Sequence, residues 1–158
     1  METLSHTIAT DFGLFFDRLG RKMHEFVDPL TTEEVWMRPF AFGNSIGHLL
    51  LHLTGNLRYY VGALLADTGY VRDRDNEFTD ASRPSKEELL RAFDEALVLV
   101  RTTAAAQREA DWALPYSAAG GEDMHDRFSA FLRCAAHADR HTGQIAYLRK
   151  QLELDRAR

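Results

Sequence analysis

Apolar residues recur along most of this chain at steps of three and four, the spacing of one face of a helix. From Leu4 to Val27 the stripe is Ile8, Phe12, Phe15, Phe16, Leu19, Met23 and Phe26, and Asp28-Pro29 ends it. Thr31-x-x-Glu34 reads as a capping box on a short helical turn over residues 31–38, which Pro39 closes. Asn44 or Ser45 can cap a second long helix striped by Ile46, Leu50, Leu53, Leu57, Val61 and Leu64. Residues 67–84 are charged, contain Gly69 and Pro84 and lack periodicity, so they predict a long exposed connection. Ser85-x-x-Glu88 caps a third helix that runs through Leu89, Leu90, Phe93, Leu97 and Val100 to about residue 109. Beyond a loop with Pro115 and Gly120-Gly121, a fourth spans about 124 to 152 and carries Phe128, Phe131, Leu132, Ala135, Ala138, Ile145, Leu148 and Leu152. No segment alternates with a period of two. The pattern predicts an all-α fold: a four-helix bundle with a long crossover connection between helices 2 and 3.

The 158 residues, 45% of them hydrophobic, suit a single domain over residues 1–158 with one core. A net charge of −5 with scattered lysines and arginines argues against nucleic acid and against an anionic membrane surface, since both need a basic face. No apolar run approaches the roughly 18 residues of a membrane span, and the first residues lack a basic start followed by an apolar stretch. The single cysteine, Cys134, fits a reducing compartment, so a cytoplasmic protein is expected. It reads as a small buried side chain rather than a nucleophile.

Candidate chemistry lies in the seven histidines. Two pairs are four residues apart on predicted helices, His48/His52 and His137/His141. Residues at i and i+4 differ by about 40° around a helix, so two imidazoles can aim at one point. On the last helix His141 falls within the stripe of Cys134, Ala138, Ile145, Leu148 and Leu152, with His137 at its edge. On the second, His52 flanks the stripe beside Leu49 and Asn56, whereas His48 lies almost opposite and reads as a partly exposed surface residue. His6, His24 and His125 each stand alone. The candidate ligands are therefore His52, His137 and His141, and the alternative is three core histidines bonded to their neighbours. Nitrogen donors favour a divalent transition metal, Zn²⁺ or Ni²⁺ before Fe²⁺, over Mg²⁺ or Ca²⁺. Three protein ligands leave a position open for chemistry. No carboxylate is evident at the site.

Asn44-Ser45-Ile46, His52-Leu53-Thr54-Gly55-Asn56, the 72–78 segment RDRDNEF and His137-x-x-x-His141-x-Gly143-Gln144-Ile145 together resemble the DinB-like (DinB/YfiT) superfamily, in an uncharacterised branch. The resemblance spans the first helix to about Leu152. It implies a four-helix bundle with a three-histidine metal site on His52, His137 and His141, and it suggests a homodimer. Some members use a low-molecular-weight thiol that the metal activates, to transfer or rearrange groups. This chain departs from the pattern in which an acidic residue follows the first histidine by four, because Asn56 stands there. Asn56 and Gln144 are candidates to orient the imidazoles or touch substrate, and Arg140 to meet an anionic substrate group. The 72–78 segment is expected to fold over a rim of the site or to lie at a dimer interface. Trp36 and Trp112 are expected to be core or pocket walls. The expected function is a metal-dependent transferase or hydrolase acting on a small molecule. The alternatives are a non-enzymatic metal- or ligand-binding bundle in stress response, and a dimeric scaffold with structural histidines.

Overall fold

The computed structural model describes residues 3–158 and is all-helical, with no strand among the described residues. The described residues form five α-helices: α1 (Leu4–Val27), α2 (Thr32–Trp36), α3 (Ile46–Leu57), α4 (Lys86–Ala105) and α5 (Arg127–Arg156). α1 packs on α4 and α5, and α3 packs on the same two helices. None of these helices is long and apolar enough to cross a membrane.

The caps explain the starts. Side chains of Thr3, Thr31, Ser45, Ser85 and Asp126 each accept from a backbone N–H of the first turn, which satisfies a donor the helix itself cannot. Asp126 rather than a residue near 124 opens the last helix, because its carboxylate and Ser129 form a reciprocal box. The inward stripes meet as expected. Phe16, Leu19, Met23 and Val27 of α1 join Leu50, Leu53 and Leu57 of α3, Phe93 and Val100 of α4, and Phe131, Ala138 and Ile145 of α5 in one core. Each of these side chains larger than alanine contributes about 1.5–3 kcal/mol by leaving water.

Three departures from the sequence reading bear on the site. The second long helix changes pitch at Arg58–Ala63 into a π-helical turn, where the Ala66 amide reaches back five residues to the Val61 carbonyl. Every residue of α3 except Leu51 is buried, so this helix has no solvent face at all. His48 is accordingly enclosed, not partly exposed: its Nδ1 lies 2.7 Å from Ser45 Oγ and its ring packs edge-on against Trp36. A helical wheel finds the stripe facing the main core, but it cannot see α2 and the connection that cover the other side. The connection itself is the third departure, because a 3₁₀ turn at Asp75–Phe78 packs on α3 and buries Glu77.

Candidate metal centre

His52 projects from the middle of α3, and His137 and His141 from successive turns of α5. The fold brings their rings together. His137 Nε2 lies 3.2 Å from His52 Nε2 and 3.1 Å from His141 Nε2. One nitrogen from each residue falls within 4.8 Å of the others, so the group could hold a metal ion. His52 and His137 are buried, and His141 is half-buried. That reverses the wheel's ranking on α5, where His141 had the more central place.

The outer nitrogens decide which tautomers the inner ones adopt. His52 Nδ1–H donates to Glu77 Oε2 at 2.8 Å. An ionised carboxylate only accepts, so the ring hydrogen sits on Nδ1, and a neutral His52 turns a lone pair on Nε2 toward its neighbours. His141 Nδ1–H donates to Gln144 Oε1 at 2.6 Å, with the same consequence. His137 Nδ1 is buried without a hydrogen-bond partner. Burial pushes the His137 pKa down to about 3, and the neighbouring His141 and His52 push the same way. Burial also lowers His141. At neutral pH these two rings are therefore uncharged.

A neutral His137 has one ring hydrogen for two inward-facing neighbours. With that hydrogen on Nδ1, both contacts set lone pair against lone pair; with it on Nε2, one hydrogen must serve two acceptors and the buried Nδ1 keeps an unpaired lone pair. A cation between the rings removes this conflict. Tetrahedral bonds of about 2.0–2.1 Å to a transition metal place their nitrogens about 3.3–3.4 Å apart, close to the two separations seen here. The donor set fits a borderline divalent ion and not a hard cation.

Behind His52 stands a buried network. Arg72 donates through Nε to Glu77 Oε1 at 2.7 Å and through Nη2 to Glu77 Oε2 at 2.8 Å. Burial alone would raise the Glu77 pKa, but the hydrogen bonds from His52 and Arg72 and the guanidinium charge outweigh it and hold the carboxyl ionised. The Phe78 ring covers His52 at 4.9 Å between centroids. The 72–78 segment thus folds over the site. Gly55 permits this approach, since a Cβ there would lie 2.1 Å from Glu77 Oε1.

Glu77 and Arg72 were the residues missed as individuals, although the segment that holds them was singled out. The available signal was the Arg-Glu-Phe grouping opposite a glycine one turn from His52. Of the other candidates, Gln144 is hydrogen-bonded to His141, as its position three residues on allows. Asn56 is buried, and its Oδ1 has no hydrogen-bond partner. Arg140 is exposed and touches none of the three rings, yet its charge helps depress His137 and His141. Trp36 and Trp112 are buried walls, donating to Pro84 O and Ser5 Oγ. Cys134 is buried, and burial pushes its thiol up to about 12. It is inert as a nucleophile.

Residues 16–145 match the family model of the DinB superfamily. A solved structure, the crystal structure of the conserved protein of locus from Enterococcus faecalis, is similar with a TM-score of 0.73 at 15% sequence identity, covering 90% of this chain and 95% of that chain. At that identity the likeness is one of fold. No curated protein matches the chain.

Proposed function

The chain belongs to the DinB superfamily, and from that membership and the imidazole cluster we propose that it is a metal-dependent enzyme built on a four-helix bundle, with His52, His137 and His141 as ligands of one divalent transition-metal ion. The observation that carries this reading is the meeting of three Nε2 atoms while the outer nitrogens of His52 and His141 are held by Glu77 and Gln144. The reaction is transfer of a small thiol to an electrophile, or hydrolysis of a small molecule. A bound ion supplies Lewis acidity that lowers the pKa of the thiol or water.

The chain's own groups provide the rest. Glu77 keeps the His52 ring turned, with Nδ1 as its donor and Nε2 facing inward, and Arg72 helps keep Glu77 ionised. Gln144 does the first of these for His141. Phe78 screens the His52 ring from water, which strengthens every electrostatic interaction behind it. Cys134, with its raised pKa, cannot serve as the nucleophilic thiol, so thiol chemistry requires a thiol from solution.

One observation favours a second reading, a bundle that binds metal without turnover. The carboxylate that touches the triad is already engaged by His52 and Arg72, and so it is not free to act as a general base. The experiment that tests the main reading measures metal content and circular dichroism of the His137→Ala and His141→Ala variants. Loss of metal with helicity retained is expected, and undiminished metal content would remove the site. Turnover of electrophiles by the metal-loaded protein with added small thiols, above the rate of free metal, separates enzyme from binder.

A further inference from the structure

We propose that the cavity beside the triad binds a small carboxylate with an aromatic or branched apolar body, clamped at its charged end by Arg140. The identification of that ligand as substrate rests on the metal-centre reading above. The binding itself stands on the cavity alone.

The cavity, about 490 Å³, lies between the segment around residues 40–44 and the middle of α5. That volume is of the size that encloses a small organic molecule. Phe40, Phe42, Leu49, Tyr147 and Leu148 make its apolar wall, and Arg140 is its one charged lining residue. Phe40 and Phe42 stack at 5.7 Å between centroids while remaining 38% and 80% exposed, and Tyr147 is 78% exposed. Three aromatic rings left in water around one concavity are not accounted for by the core.

The face of α5 explains the shape. Arg140, Gly143, Gln144 and Tyr147 recur at helical spacing, so they line one side. A Cβ at Gly143 would meet nothing within 4 Å, which shows that the glycine leaves room rather than relieving a clash. Gln144 is shared with the metal centre, because the same side chain that lines the cavity accepts from His141 Nδ1. Leu49 lies one turn before His52. A ligand in the cavity therefore sits against the wall that carries the triad.

Charge selects the class. The protein is acidic overall, with a net charge of −5, yet among the described residues Arg140 has no ion-pair partner. A single unpaired guanidinium matches one carboxylate through two parallel hydrogen bonds. No second cation lines the cavity, as a phosphate dianion would require. The apolar wall then takes the body of the ligand.

The test is calorimetric titration of zinc-loaded and metal-stripped protein with phenylacetate, 3-phenylpropanoate and 4-methylpentanoate, alongside the matching carboxamides. At least one acid should bind, with its amide weaker by roughly tenfold or more, the worth of a charge-assisted hydrogen bond. Arg140→Gln should weaken the acid by a similar factor. Gly143→Leu, which fills the floor with a good helix former, should abolish binding while helicity and metal content stay unchanged. Equal affinity for acid and amide, an unaffected Arg140→Gln variant, or no binding by any of the acids would overturn the proposal. Carboxylate binding by a protein that takes up no zinc leaves this site standing and removes the metal centre, and zinc uptake without carboxylate binding does the opposite.

Discussion

Replacing Glu77 by glutamine keeps the shape of the side chain and removes its charge, and the structure sets the size of the effect. The Arg72 and Glu77 side chains are 9% and 7% exposed. Glutamine can accept from Arg72 or from His52 Nδ1–H, but its amide NH₂ must then face the other donor. Removing one partner of a buried pair costs about 3–5 kcal/mol, and the lower end applies here because one acceptor survives. Against a typical stability of about 5–15 kcal/mol the variant stays folded. At about 2–4 °C per kcal/mol for a chain of this size, its Tm falls by about 6–12 °C. Metal affinity should fall about 10- to 100-fold, the usual consequence of losing the carboxylate behind a histidine ligand. The assay is competition for zinc against a chromophoric chelator, with Tm measured with and without metal. Arg72→Met is the comparison: it should destabilise to a similar degree, but it leaves the Glu77 to His52 hydrogen bond in place and so costs less metal affinity. A Glu77→Gln protein that binds zinc within twofold of the wild type would refute the claim that Glu77 tunes His52.

Other consequences follow from single residues. Gly55→Ala places a Cβ 2.1 Å from Glu77 Oε1, so the carboxylate must retreat from His52; a stability loss of about 1–3 kcal/mol and a measurable drop in zinc affinity are expected, and wild-type values for both would contradict the packing described. His24 donates to Asp94 across the α1–α4 contact and lies against Asp28, and chiefly the Asp94 hydrogen bond raises its pKa. A raised pKa means the stabilisation is fully present below the unfolded value of about 6.5 and lost as pH rises through the folded one. His24→Gln should therefore lower Tm at pH 5.5 and leave it unchanged at pH 8.5, by a small amount because the ring is 40% exposed; equal effects at both pH values would argue against the ion pairs. Cys134 in the native protein should resist a thiol reagent at pH 8 and react after denaturation, and fast native labelling would show that its thiol is accessible.

Much of the histidine cluster was legible because its members obey helical spacing. His137 and His141 occupy one face of α5 by construction, and His52 flanks the stripe of α3, so their convergence needed only that α3 pack on α5. Gln144 was legible for the same local reason. Glu77 was not, because its contact with His52 spans 25 residues and runs through a connection without periodicity. Nor was the burial of His48, which depends on α2 and the Asp80 region closing over a helix face that a wheel assigns to solvent.

By itself the chain's order of apolar and polar residues determined the helices, most of their caps and which imidazoles could share a side, since these depend on neighbours within a turn or two. Only the tertiary structure decided that a charged connection would bury one carboxylate against His52, that Gly55 would make room for it, and that an unpaired Arg140 would border a cavity beside the triad. Those outcomes depend on contacts between residues far apart in sequence, and no local periodicity encodes them.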